Sequence, residues 1–246
     1  MRLLLAPAVG VVAVFAAALA ALLQYSVLEF IPGSLRTGGF TLANFRGVIA
    51  PRYLDHVWDT ALLSAATTVL ALVASYPIAY ALARTPSHRI RSWLLVLTLA
   101  PFFTGAIVRT YAWMLVLGNT VVTWPVPMLF TERGVLVGLV HFSMPTMILL
   151  LAAAISHVDV FWRVTLPLSM PGVVAGSLIV FAWTFSAFPT PELLGGGKVK
   201  MIANVVKDLA LDSFNWPGAA AFAMLALAVT LALLAGLGRL AAGRAP

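Results

Sequence analysis

The chain has 246 residues, of which 62% are hydrophobic and 9% charged, with a mean hydropathy of +1.02 and no cysteine. Soluble domains carry about 25% charged residues, so a soluble enzyme or binding domain is excluded, and the lack of cysteine excludes disulfides. In a soluble protein the net charge of +7 would point to nucleic acid; here what matters is the side of a membrane on which the basic residues fall.

Runs of about 20 apolar residues are long enough to cross a bilayer as helices. Six occur in chain order: Leu3–Leu23, Thr60–Ala83, Trp93–Leu117, Gly134–Ile155, Gly172–Phe188 and Ala219–Leu237. Only helices and closed barrels satisfy the backbone in lipid, and the runs lack the alternation of barrel strands. The chain therefore reads as an all-α membrane protein, one polytopic domain over residues 1–246. The first run, with Arg2 before it and Ala18-Leu19-Ala20 near its end, has the outline of a cleaved leader, but it exceeds the usual 7–15 apolar residues of that segment. Gly134/Gly138 and Gly172/Gly176 are small-xxx-small pairs that let helices approach closely, and they read as packing.

Orientation follows from the arginines. With the N-terminus in the cytoplasm, the short cytoplasmic segments carry Arg2, Arg84, Arg89, Arg91, Arg163, Arg239 and Arg244 against Asp159 alone. The longer outer loops balance Arg36, Arg46, Arg52, Arg133, Lys198, Lys200 and Lys207 with Glu29, Asp55, Asp59, Glu132, Glu192, Asp208 and Asp212. The dense segment Arg84–Arg91 is the clearest positive-inside signal, so both termini are predicted inside.

Within the third run, Gly105–Met114 places Arg109 among apolar residues, flanked by Tyr111 and Trp113. An isolated charge costs about 2.5–3.5 kcal/mol at the bilayer centre on insertion scales, and one kept there lines a water-filled path or meets a polar partner. The alternative is an arginine near a helix end that snorkels to the interface. Gly195-Gly196-Gly197-Lys198 is not a phosphate loop, because Glu192 stands where the first glycine and Val199 where the Ser/Thr belong. No H-E-x-x-H occurs, and His56, His88, His141 and His157 are scattered. His141, the one histidine in a predicted span, reads as a hydrogen-bonded helix contact.

Phe161-Trp162-Arg163-Val164-Thr165-Leu166-Pro167-Leu168-Ser169-Met170-Pro171-Gly172 is short, amphipathic and closed by two prolines, which end one helix and start another well. It fits a cytoplasmic knob for a partner or an ordinary interfacial turn. Its second half resembles the end of the cytoplasmic loop motif of ABC importer permeases, roughly E-A-A-x-x-x-G, a spacer, then I-x-L-P. Val108–Trp113, Gly39–Phe45, Tyr76–Arg84 and Phe188–Gly196 resemble further blocks of the spermidine/putrescine-type subfamily, in order, from about Gly39 to the C-terminus.

The resemblance implies a MetI-like bundle of about six transmembrane helices in a bacterial inner membrane. It also implies a second permease subunit, two ATPase subunits that bind ATP and Mg, and a periplasmic solute-binding protein. The chain itself would hold no cofactor and no metal, catalyse no covalent chemistry, contact membrane lipid, and bind no nucleic acid. Asp159, Phe161, Arg163, Leu166, Pro167 and Gly172 would couple it to the ATPase. Arg109, Tyr111, Trp113, Trp183 and Phe185 would line the path of a small organic solute, polyamine-like or zwitterionic/anionic.

The chain departs from the pattern at three places. The E-A-A part, about fifteen residues of the family pattern, is absent: Ile155–Asp159 runs straight into Val160–Arg163. The outer loop Leu117–Val122 is also brief. Discontinuities of the chain are expected between His157 and Phe161 and between Gly118 and Val122, a truly shortened loop being the alternative. Finally, Ala187 stands before Phe188 where the family often has an acidic residue, which weakens a polyamine reading. A stand-alone carrier or channel would need inverted repeats or intramembrane ion ligands, and a membrane-embedded enzyme would need a catalytic pair beyond His141 and Ser143; the sequence displays neither.

Overall fold

The computed structural model describes residues 2–34, 36–119, 121–155 and 166–242. The helices are α1 (Arg2–Ser26), α2 (Ala43–Val48), α3 (Pro51–Arg84), α4 (His88–Leu99), α5 (Ala106–Leu117), α6 (Glu132–Ile155), α7 (Leu166–Phe185), α8 (Pro189–Gly195), α9 (Ile202–Lys207) and α10 (Trp216–Ala242). A two-stranded antiparallel hairpin, β1 (Leu28–Phe30) and β2 (Thr37–Phe40), follows α1, with Leu28 opposite Phe40 and Phe30 opposite Thr37. Two compact units result: Met1–Val57 with Ile202–Val229, and Trp58–Met201 with Thr230–Pro246.

In the first unit the side-chain amide of Asn44 donates to Ser26 O at 2.9 Å and Leu28 O at 2.7 Å, tying α2 to the hairpin. Tyr53 and Phe222 rings pack at 5.5 Å. A π-helical turn, Asp208–Asp212, extends α9, and Lys207 spans it by pairing with Asp208 at 2.8 Å and Asp212 at 3.0 Å. Asn215 caps α10 by accepting from Gly218 N–H at 2.9 Å.

The second unit holds two cores. In one, Ala71, Ala79 and Leu82 of α3 meet Met147, Ile148, Leu151 and Ile155 of α6 and Val180 of α7. In the other, Leu63, Leu117, Val135 and Leu139 gather around Leu194 and Met201. The buried face of α3 runs Thr60, Ser64, Thr67, Ala71, Ser75, Ala79, the three- and four-residue spacing that puts side chains on one side of a helix. Gly172 and Gly176 let α7 lie against α6: a Cβ at Gly172 would collide with the Ala154 side chain, and one at Gly176 would come within 3.2 Å of Met147 Sδ. Gly138 likewise admits Thr190 and Leu194 of α8. Both small-residue pairs are packing devices.

Among the described residues, four helices are long and apolar enough to cross a membrane, and up to six spans result if two bent pairs each count as one. The third run is thus not one straight helix. α4 continues as a 3₁₀ turn over Ala100–Phe103 and then bends by 101° into α5. Pro101 brings no N–H, and Thr104 (ψ 121°) and Gly105 (ψ 146°) are extended, so the α4 ladder stops there. α5, with 12 residues, is about 18 Å long, well short of the ~30 Å hydrocarbon core. The fifth run also breaks, at a 58° bend between α7 and α8, where Pro189 opens α8 as its first residue. α7 begins at Leu166, so Pro167 lies in its first turn and the residues up to Gly172 continue it; of the knob or turn read over 161–172, residues 161–165 lie outside the described residues.

Asp159, Phe161 and Arg163 lie outside the described residues, as does the discontinuity expected between His157 and Phe161. The second expected discontinuity includes Thr120, also outside them; beside it, the Trp124 backbone N–H donates to Asn119 Oδ1 at 3.0 Å.

Overpacking a tight contact costs about 1–3 kcal/mol. Gly172→Val should therefore lower the apparent melting temperature of the detergent-solubilised protein by several degrees. Gly236→Ala, at a position with nothing within 4 Å, should leave it unchanged or slightly raised.

Candidate functional site

α5 holds both ends of the site. Arg109 and Trp113 are four residues apart and share a face, while Tyr111 points elsewhere and is exposed. The α5 backbone is secured at its far end, where the Trp124 indole N–H donates to Val116 O at 2.9 Å, and Thr110 Oγ1 donates to Ala106 O at 2.8 Å. α8 packs along α5, and α6 lies against both. α8 in turn ends in a left-handed Gly196 (φ 53°), and the Phe130 N–H satisfies Leu194 O at 2.8 Å.

Two contacts run from α5 to α6. The Trp113 indole N–H donates to His141 Nδ1 at 3.1 Å, with the rings edge to face at 5.4 Å. An indole nitrogen can only donate, so Nδ1 is the acceptor and the ring proton sits on Nε2. One residue along, the Arg109 guanidinium carbon lies 4.6 Å above the Phe142 ring centroid. Phe142 continues the chain of contacts by standing edge to face with Trp183 of α7 at 5.6 Å. Arg109 Nε is buried with no hydrogen-bond partner, and among the described residues Arg109 has no carboxylate partner.

The space around this cluster is apolar. A groove of about 490 Å³ is lined by Trp113 and His141 together with Leu70, Val73, Val140 and Met144. A second, of about 250 Å³, reaches His141 from the α4 side and includes Pro101, Thr98 and Pro145. Pro145 lacks the N–H that would bond the His141 carbonyl, so α6 presents a freed acceptor at His141, which with Met144 lines both grooves. Such an interruption inside a span is tolerated where other groups or water satisfy the backbone.

Of the residues proposed from sequence, Arg109, Trp113 and Trp183 come together. Phe185 does not join them: it is fully buried against Phe181 at 5.7 Å. Gly172 sits at the α6–α7 contact, and Leu166 and Pro167 open α7. Phe142 was missed, since a phenylalanine in an apolar run carries no signal of its own; the demand of Arg109 for a partner was the available clue. His141 is the hydrogen-bonded helix contact it was read to be. Among the described residues, no three His, Cys, Asp or Glu side chains come close enough to hold a metal ion.

No family model matches the chain. Curated relatives do. It is 34% identical over 221 residues to the spermidine/putrescine transport system permease protein PotB of Haemophilus influenzae, covering 79% of this chain and 77% of the relative. With PotB of Escherichia coli the identity is 31% over 223 residues, covering 79% and 81%. The chain belongs to the permease subunits of ABC importers. A further relative is the molybdenum transport system permease protein ModB of Mycobacterium bovis, 30% identical over 192 residues and covering 70% and 73%. The fold is that of a bacterial ABC transporter involved in the import of the acidic polysaccharide alginate, with TM-score 0.74 and 16% identity over 100% of this chain and 96% of that one. This is thus a multi-pass membrane protein working with other ABC components. The first pairing spans 221 positions but takes in 79% of 246 residues (0.79 × 246 ≈ 194), so about 27 positions face no residue of this permease.

Trp113→Phe keeps an aromatic ring but removes the donor to His141. A net hydrogen bond is worth about 1 kcal/mol, so the variant should unfold about 2–4 °C lower in detergent. An unchanged melting temperature would mean that the bond contributes nothing to holding α5 on α6.

Proposed function

We propose that this permease forms, with a second and different permease subunit, the path by which a small organic solute of the polyamine class enters a bacterial cell across the inner membrane. A periplasmic binding protein delivers the solute, and two ATPase subunits bind the ATP and Mg that drive entry. The observation that carries this reading is the kinship with PotB, extending over 77–81% of those proteins. Arg109, Trp113 and Trp183, joined by Phe142 and His141, are the path residues. Tyr111, exposed on another face of α5, and Phe185, in the core, are support at most. Asp159, Phe161, Arg163, Leu166, Pro167 and Gly172 mark the stretch that meets the ATPase. A zwitterionic or anionic solute is the second reading, favoured by the cation at Arg109 and by Ala187 where an acid is usual in the family.

Reconstitution with and without the partner ATPase tests the function. Uptake should need ATP; uptake at the same rate without it would make the chain a stand-alone carrier and overturn the reading.

The orientation, with both termini cytoplasmic, rests on the arginine-rich turn between α3 and α4. Because the chain has no cysteine, single probes are clean. Ser87→Cys should resist a membrane-impermeant thiol reagent in intact cells and Ser213→Cys should react. The reverse pattern inverts the topology.

A further inference from the structure

We propose that the face of Phe142 is a binding position for the ammonium groups of the transported solute, and that Arg109 is a resident cation holding that position between turnovers. The proposal rests on the polyamine reading above and adds how a polycation is recognised. A protonated polyamine carries ammonium donors on an apolar stem, so a path must offer it neutral acceptors, carboxylates or π faces. In the described helices of the second unit, acidic side chains occur only at the start of α6 (Glu132), at Asp59 near the outer end of α3, and at Glu192 on α8. Among the described residues none of these pairs with Arg109, and the contacts the cluster displays are π faces.

The geometry already displays the interaction. A guanidinium 4.6 Å from the Phe142 centroid lies within the ~6 Å over which a ring quadrupole attracts a cation. Trp183, partly exposed and 5.6 Å from Phe142, supplies a second aromatic surface on α7. Trp113 supplies a third, held in place by its bond to His141. Because Nδ1 accepts that bond, the imidazole brings no second positive charge to the site.

Exchange is favoured by what Arg109 gives up where it lies. Its Nε is desolvated without an acceptor, a state that costs free energy. Moving off the ring returns that group to water as the solute takes the face. A resident cation also keeps occupancy weak. A translocation path must bind well enough to admit a solute and loosely enough to release it, and competition from Arg109 sets that balance without a carboxylate that would hold a polycation in place.

The test uses the complete importer in proteoliposomes with radiolabelled putrescine and spermidine, each variant being checked for co-purification with the ATPase. Phe142→Leu should raise KM about tenfold, and Phe142→Tyr, which restores the π face, should recover most of that loss. Arg109→Gln should retain uptake with a lowered KM, since the competitor is gone. Loss of uptake in Arg109→Gln together with a wild-type KM in Phe142→Leu would overturn the proposal and make Arg109 a reader of an anionic group. A wild-type complex that moves polyamines, with Phe142→Leu unchanged, overturns the proposal alone. A wild-type complex that moves no polyamine but carries a carboxylate solute removes the polyamine reading and the proposal with it.

Discussion

Lipid offers no hydrogen-bond partner to a peptide group, and this constraint organises the second unit. An unbroken helix meets it internally, α6 doing so except at Pro145, which brings no N–H to the His141 carbonyl. The two bent pairs do not, because each bend releases donors and acceptors that lipid cannot satisfy. The fold answers by gathering the interruptions. α5 and α8, the short arms of the two bent pairs, pack on each other and on α6, and their free ends find partners in Trp124 and Phe130. Irregular backbone is thereby concentrated in one region, and that region contains Arg109. The charge and the broken helices are one feature, since both need polar company that only protein or water can provide.

Hydropathy made the six apolar runs legible, because the cost of burying a polar residue in lipid is large and repeats along every span. It could not reveal the bends. A window average is blind to whether 25 apolar residues follow one axis or two, and Pro101 with Gly105, or Pro189 with Pro191, are common enough in spans to pass as mere kinks. The close approach of α6 and α7 was readable from Gly172 and Gly176, since a missing Cβ has one use in a packed helix pair. The pairing of Arg109 with Trp113 was readable from their four-residue spacing, and the same rule should have set Tyr111 aside. Phe142 was not readable: its role arises from which neighbour α5 brings to it. The burial of Phe185 was not readable either, because an aromatic one turn from a break is as useful to a core as to a cavity, and here it packs on Phe181.

The site joins a permanent cation to aromatic faces. Guanidinium and ammonium ions differ in hydration and shape, yet both are drawn to the same ring. On the proposal that Phe142 takes ammonium groups, Ala187 in place of an acidic residue is compatible with recognition of a cation. The same arrangement explains how a charge with no carboxylate beside it is tolerated: the ring supplies part of what water would.

The fit of Gly172 against Ala154 has a mechanical side. Two helices in contact without side-chain padding cannot slide independently, so α6 and α7 behave as a single stiff beam. α6, with 24 residues, is about 36 Å long. A tilt of about 10° about one end of α6 would sweep its other end through roughly 6 Å, more than the rise of one helical turn. A small change of angle between packed helices is therefore a large displacement at their far ends.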